Sequence, residues 1–171
     1  MSYSSVHAQP TIDSRALATG VGIGLAGGFA EIGVVSLYAA LTGTDAGDVA
    51  RQVAVAVGLP DVSVASGVMV HLALSVGLGV ALVWLVQLAV LRPMRTASVV
   101  GFMTACLAVV WAVNFFIVLP RLSPGFVTLL PYGVTLASKL MFGVAAGLAF
   151  CRVERRWLAG RSARSGMRLS T

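Results

Sequence analysis

Four long apolar runs decide what this chain can become. They cover roughly residues 16–41, 64–91, 97–119 and 129–151, and polar or basic stretches separate them. A helix rising ~1.5 Å per residue needs ~20 apolar residues to cross a ~30 Å hydrocarbon core, and each run meets that length. The expected fold class is an all-α integral membrane protein, a four-helix transmembrane bundle. Only 11% of the 171 residues are charged and mean hydropathy is +0.94, whereas soluble domains carry roughly 25% charge.

The flanks suggest an orientation. Residues 1–15 are polar and lack the basic start and short apolar core of a cleaved signal peptide, so they read as a cytoplasmic tail. Arg15, Arg92, Arg95, Arg152, Arg155, Arg156, Arg161, Arg164 and Arg168 fall on one side of the spans, and Arg51 and Arg121 on the other. The positive-inside rule then places both termini in the cytoplasm. Residues 152–171 form a basic cytoplasmic tail, with Trp157 as an interfacial anchor. Arg152, Arg155, Arg156, Arg161, Arg164 and Arg168 are expected to face anionic lipid, each gaining about 1 kcal/mol near a negative leaflet. A nucleic-acid partner is not expected, because Trp157 is the tail's one aromatic. Between the first two spans, residues 48–57 read either as a short interfacial helix capped by Asp48 or as a loop.

Several motifs carry less than they seem to. Gly22-Ile-Gly24-Leu-Ala-Gly27 matches the dinucleotide-binding pattern, but no strand precedes it and the run is apolar throughout. Gly20, Gly24 and Gly28 recur every four residues, which is the spacing for close helix approach. Gly143 and Gly147 repeat that spacing in the fourth span. Cys106 and Cys151 read as small packing residues. With His7 in the tail and His71 in a span, neither a bis-histidine haem nor a His/Cys metal cage is expected, and no cofactor is called for. Minimum sets for acyl, phosphoryl or glycosyl chemistry are missing, so an enzyme is not expected.

The informative residues are the polar ones inside the spans. Lys139, the single lysine, lies within the fourth run, and Glu31 within the first. An isolated charge at the bilayer centre costs ~2.5 to 3.5 kcal/mol on insertion scales, so pairing is the default. At ~1.5 Å per residue, Glu31, His71, Asn114 and Lys139 all fall between the middle and the outer ends of their spans. They are expected to form one intramembrane polar cluster, with Lys139 preferred over Arg121 as the partner of Glu31. Each sits on a stripe of small or polar residues at helical spacing, Lys139 with Tyr132, Thr135, Gly143 and Gly147.

The segments AEIGVVSLYAALTG (30–43), WAVNFFIVLP (111–120) and TLASKLMFG (135–143) resemble a group of small four-span bacterial inner-membrane proteins without assigned activity. The resemblance implies a bacterial inner-membrane location and brings no ligand or catalytic residue. Two functions are expected from the residues. The first is a structural or accessory subunit that associates with itself, as a homo-oligomer, or with a larger membrane complex through small-residue faces. The second is a small proton-coupled transporter or channel that uses Glu31, Lys139 and His71.

Overall fold

The computed structural model describes residues 14–59, 63–89 and 95–168. Residues 1–13 of the expected tail, His7, Asp61, Arg92 with the turn up to Met94, and residues 169–171 lie outside the described residues. The described chain is all-helical: α1 (Ser14–Thr42), α2 (Ala46–Ala56), α3 (Val64–Ala89), α4 (Thr96–Val113), α5 (Leu119–Leu122), α6 (Pro124–Leu129) and α7 (Tyr132–Arg168). One π-helical turn, Asn114–Val118, joins α4 to α5. Four segments are long and apolar enough to cross a membrane: Ser14–Thr42, Val64–Leu88, Thr96–Leu122 and Tyr132–Trp157.

Where boundaries differ from the sequence reading, the local chemistry explains the shift. Pro131 lies just ahead of α7, with its carbonyl accepting the N–H groups of Val134 and Thr135 at 3.0 and 3.2 Å. Leu130 before it is extended, at φ −131° and ψ 142°, as a residue preceding proline prefers. The third rod passes position 119 and continues to Leu122. Pro120 has no N–H to offer the Phe116 carbonyl, while the Leu119 N–H reaches back to the Asn114 carbonyl. That wider i→i−5 turn lets the proline ring pass without ending the helix. The last helix also continues beyond residue 151, since Arg152 to Ala159 contains good helix formers and no proline. Arg161, Arg164 and Arg168 belong to its distal part, and their side chains lie outside the described set.

Residues 46–56 are helical, and the cap differs from the expectation. Asp45, one turn ahead of Asp48, is the N-cap and accepts the Gly47 N–H at 2.7 Å. Asp48 instead occupies the first turn, where it favours the helix dipole and pairs with Arg51. The hydrogen bond with Asp48, with the charges of Asp48 and Asp45 beside it, pushes the Arg51 pKa further up. Gly43 (φ 74°) and Gly58 (φ 85°) turn the chain at the two ends of α2 in the left-handed region.

In the bundle α1 is flanked by α3 and α7, and α7 also packs on α4, while α3 and α4 touch only slightly. Ile23, Val83, Met103, Leu107, Phe142 and Ala146 are fully or almost fully buried and belong to one core cluster drawn from all four long helices. That core closes the end of the bundle where α1 begins. Cys106 and Cys151 are free thiols packed against it. At the same end Arg155 donates to Thr96 Oγ1 at 3.0 Å, and the Arg15 guanidinium stacks 4.1 Å over the Trp157 ring. Arg155 thus ties α7 to the start of α4, and Arg152 and Arg156 are exposed.

Close approach explains the glycines. A Cβ at Gly20 would lie 2.6 Å from Val80 Cα, one at Gly28 2.8 Å from Ser75 Cβ, and one at Gly147 2.8 Å from Val100 Cα. Gly24 meets the backbone of Ser75 and Val76, and Gly143 meets Thr104. All five therefore serve contacts within the chain, Gly20, Gly24 and Gly28 against α3 and Gly143 and Gly147 against α4. The dinucleotide-like match falls inside this helix seam, where Gly22 has nothing within 4 Å of an added Cβ. Gly20→Val is expected to lower stability by about 1–3 kcal/mol through overpacking, read from unfolding in mixed micelles. Gly22→Val carries the same β-branched propensity change with nothing to strike, so the difference between the two variants isolates the seam.

Candidate functional site

On the Gly24, Gly27, Gly28 stripe of α1 the next residue in register is Glu31, which is only 4% exposed. Small residues ahead of it let α3 and α7 approach, and α7 delivers Lys139 to the same place. Lys139 Nζ stands 2.8 Å from Glu31 Oε1 and 2.9 Å from Oε2, so one ammonium spans both carboxylate oxygens. Ser138 Oγ also lies 3.4 Å from Oε1 and 2.9 Å from the Thr135 carbonyl. A hydroxyl has one proton, and the shorter contact takes it. The ammonium lies 5.8 Å from the centroid of the Phe142 ring, within cation–π range.

Around this pair a second polar chain fastens α4 to α7. Trp111 Nε1 donates to Thr135 Oγ1 at 3.0 Å, and that hydroxyl donates to the Tyr132 carbonyl at 3.0 Å. Trp111 also heads an aromatic cluster. Its ring lies 5.7 Å from Phe115, 5.5 Å from Phe116 and 6.3 Å from Tyr132, and Phe115 reaches Phe126 of α6 at 6.2 Å. Edge-to-face contacts such as Trp111–Phe116 add about 0.5–1.5 kcal/mol beyond burial.

The structure brings three of the four expected residues together. His71 Nε2 is 3.8 Å from Glu31 Oε2, too long for a hydrogen bond, and it is buried with no hydrogen-bond partner. Asn114 sits at the start of the π turn and lines the same space, yet among the described residues no hydrogen bond joins its side chain to the other three. Arg121 donates to the Ile117 carbonyl on its own rod and stays out of the cluster. Among the described residues no three His, Cys, Asp or Glu side chains gather as a metal site would require.

Sequence reasoning missed the space itself. A cavity of about 440 Å³ opens between α1, α3, the π turn and α7, with α2 and α6 across its far end. Glu31, Lys139, His71, Ser138 and Thr135 form a polar floor. Val35, Val53, Leu74 and Val118 are among the apolar walls. The signal for its roof was the valine spacing at 49, 53 and 57, and all three residues face the cavity. The signal for the π turn was Pro120, six residues after Asn114.

The pair should show strong coupling. Lys139→Met leaves a buried carboxylate without its counter-charge, a change that costs about 3–5 kcal/mol in buried pairs. Adding Glu31→Gln is expected to recover part of that loss, with an interaction energy of about 0.5–3 kcal/mol in a double-mutant cycle of unfolding free energies. Additive losses would mean that the two groups do not depend on each other. No family model, curated protein or solved structure matches the chain, so what the site does is argued from its own chemistry.

Proposed function

We propose that this is a small, non-enzymatic, multi-pass membrane protein that acts as a proton-coupled transporter, with Glu31, Lys139 and His71 as its working groups. One observation carries the reading: the ion pair forms the floor of a cavity. A pair that served only to hold helices in register would be shut inside an interface. Here a carboxylate, an ammonium and an imidazole line a space large enough for a small molecule. Ionisable groups within membrane spans mark transport paths and ligand sites.

The geometry supplies a coupling step. Glu31 Oε2 has Lys139 at 2.9 Å and His71 at 3.8 Å. A proton taken up by His71 creates a second cation beside one carboxylate, and the two then compete for it. Proton binding thereby loosens Lys139. Loss of the proton restores the Lys139–Glu31 contact.

The basic residues at the end where α1 begins support a cytoplasmic location for both termini, against anionic lipid, and the inner membrane of a bacterium is the proposed location. A second reading, an accessory subunit of a homo-oligomer or larger complex, draws on the fact that the pair also links α1 to α7. The five seam glycines are occupied within the chain, so such association would use a different face.

Proteoliposomes with an entrapped pH dye test the proposal. After an imposed pH gradient, the wild-type protein is expected to pass protons faster than protein-free vesicles. Glu31→Gln and Lys139→Met should each lower that flux at least tenfold while eluting as folded protein. Flux equal to empty vesicles, or unchanged in both variants, would favour the accessory reading.

A further inference from the structure

We infer that the cavity takes a small, uncharged, mostly apolar molecule bearing one hydroxyl, which hydrogen-bonds His71 Nε2. The inference rests on reading the cavity as a binding site and adds the chemistry of its occupant. About 440 Å³ lies within the roughly 300–1,000 Å³ of small-molecule sites. The walls, with Val35, Val53, Val68, Leu74, Phe115 and Val118 among them, are mostly apolar, and their polar members Ser36 and Asn114 carry no charge.

The floor is also closed to ions by its own balance. Both Glu31 oxygens are held by Lys139, at 2.8 and 2.9 Å. An anionic ligand would have to draw Lys139 away and leave the carboxylate bare, and a cationic one would do the reverse to the ammonium. Breaking a buried pair in that way is strongly unfavourable. A neutral ligand leaves the pair intact.

His71 then specifies the polar group. Its ring lines the cavity, and its Nε2 is buried without a partner. The Glu31 carboxylate, 3.8 Å away, is too far to bond it. A neutral imidazole has one N–H and one lone pair, so Nε2 is left as a bare donor or a bare acceptor. A buried polar atom left bare costs more than one that is satisfied. A hydroxyl both donates and accepts, and so satisfies Nε2 in either form. A purely apolar molecule of the same shape does not.

The chain has two histidines, so ¹⁵N-histidine labelling in a His7→Ala background leaves His71 as the one imidazole signal. In lipid nanodiscs, with empty discs subtracted, 1-naphthol is expected to bind saturably and shift the Nε2 resonance. Naphthalene, matched in ring system but lacking the hydroxyl, should bind at least tenfold more weakly. Equal binding of both with Nε2 unmoved would overturn the hydroxyl inference and leave the binding-site reading standing. Tighter binding of 1-naphthoate would overturn the claim of an uncharged occupant. Saturation by none of the three would overturn the binding site along with its proposed ligand.

Discussion

The 2.8 Å contact between Lys139 Nζ and Glu31 Oε1 joins residues 108 positions apart, on two helices that are apolar for most of their length. Neither charge tolerates such surroundings alone, and each is compensated by the other. Their meeting requires α1 and α7 to lie close. The requirement is met one turn toward the start of α1, where Gly27 packs directly on the Phe142 ring of α7 while Gly28 lets Ser75 of α3 approach alongside. A larger residue at Gly27 would hold α1 and α7 apart and lengthen the ion pair, and one at Gly28 would push α3 away. The glycine seam and the ion pair are therefore one arrangement, in which backbone approach makes room for the charge contact.

From that arrangement follows the unlike character of the two ends. Where α1 begins, Ile23, Val83, Met103, Leu107 and Phe142 fill the space between all four long helices. Beyond Glu31 the helices leave a half-open cavity, and smaller elements line it. The π turn at Asn114–Val118 carries the third rod past Pro120, so that Phe115 and Val118 reach the cavity. α2 crosses the open end with Val49 and Val53 turned inward, and its Ala50 carbonyl lies directly against Gly67 of α3. A closed core holds the bundle together at one end, and the polar groups have room at the other.

Much of this was legible in the sequence. Hydropathy and length located the four long helices, and the desolvation cost of a single lysine was enough to pair it with Glu31. Gly20, Gly24 and Gly28 could be placed on a packing face because helical spacing is local information. What could not be read depended on relations between distant segments. The cavity is lined by residues of α1, α2, α3, the π turn, α5, α6 and α7, and no local pattern encodes their meeting. Asn114 fell at the right depth for the cluster, yet depth alone does not fix rotation about a helix axis, and its side chain lines the space without bonding the pair. Ser138 went unnoticed because a serine beside a lysine has no distinctive spacing. At α2, Asp45 and Asp48 are both reasonable caps by composition, and only the Gly47 N–H contact separates them. The polar composition of residues 152–168 hid a helix that its good helix formers sustain.

The account depends most on Glu31 being an ionised partner of Lys139 inside the bundle. Glu31 and Glu154 are the chain's two glutamates, so ¹³C-glutamate labelling in a Glu154→Gln background isolates one carboxyl in the infrared spectrum. At neutral pH in lipid, the account predicts a carboxylate stretch from Glu31 that gives way to a protonated-acid band in Lys139→Met. A protonated-acid band already present in the protein with Lys139 intact would contradict it.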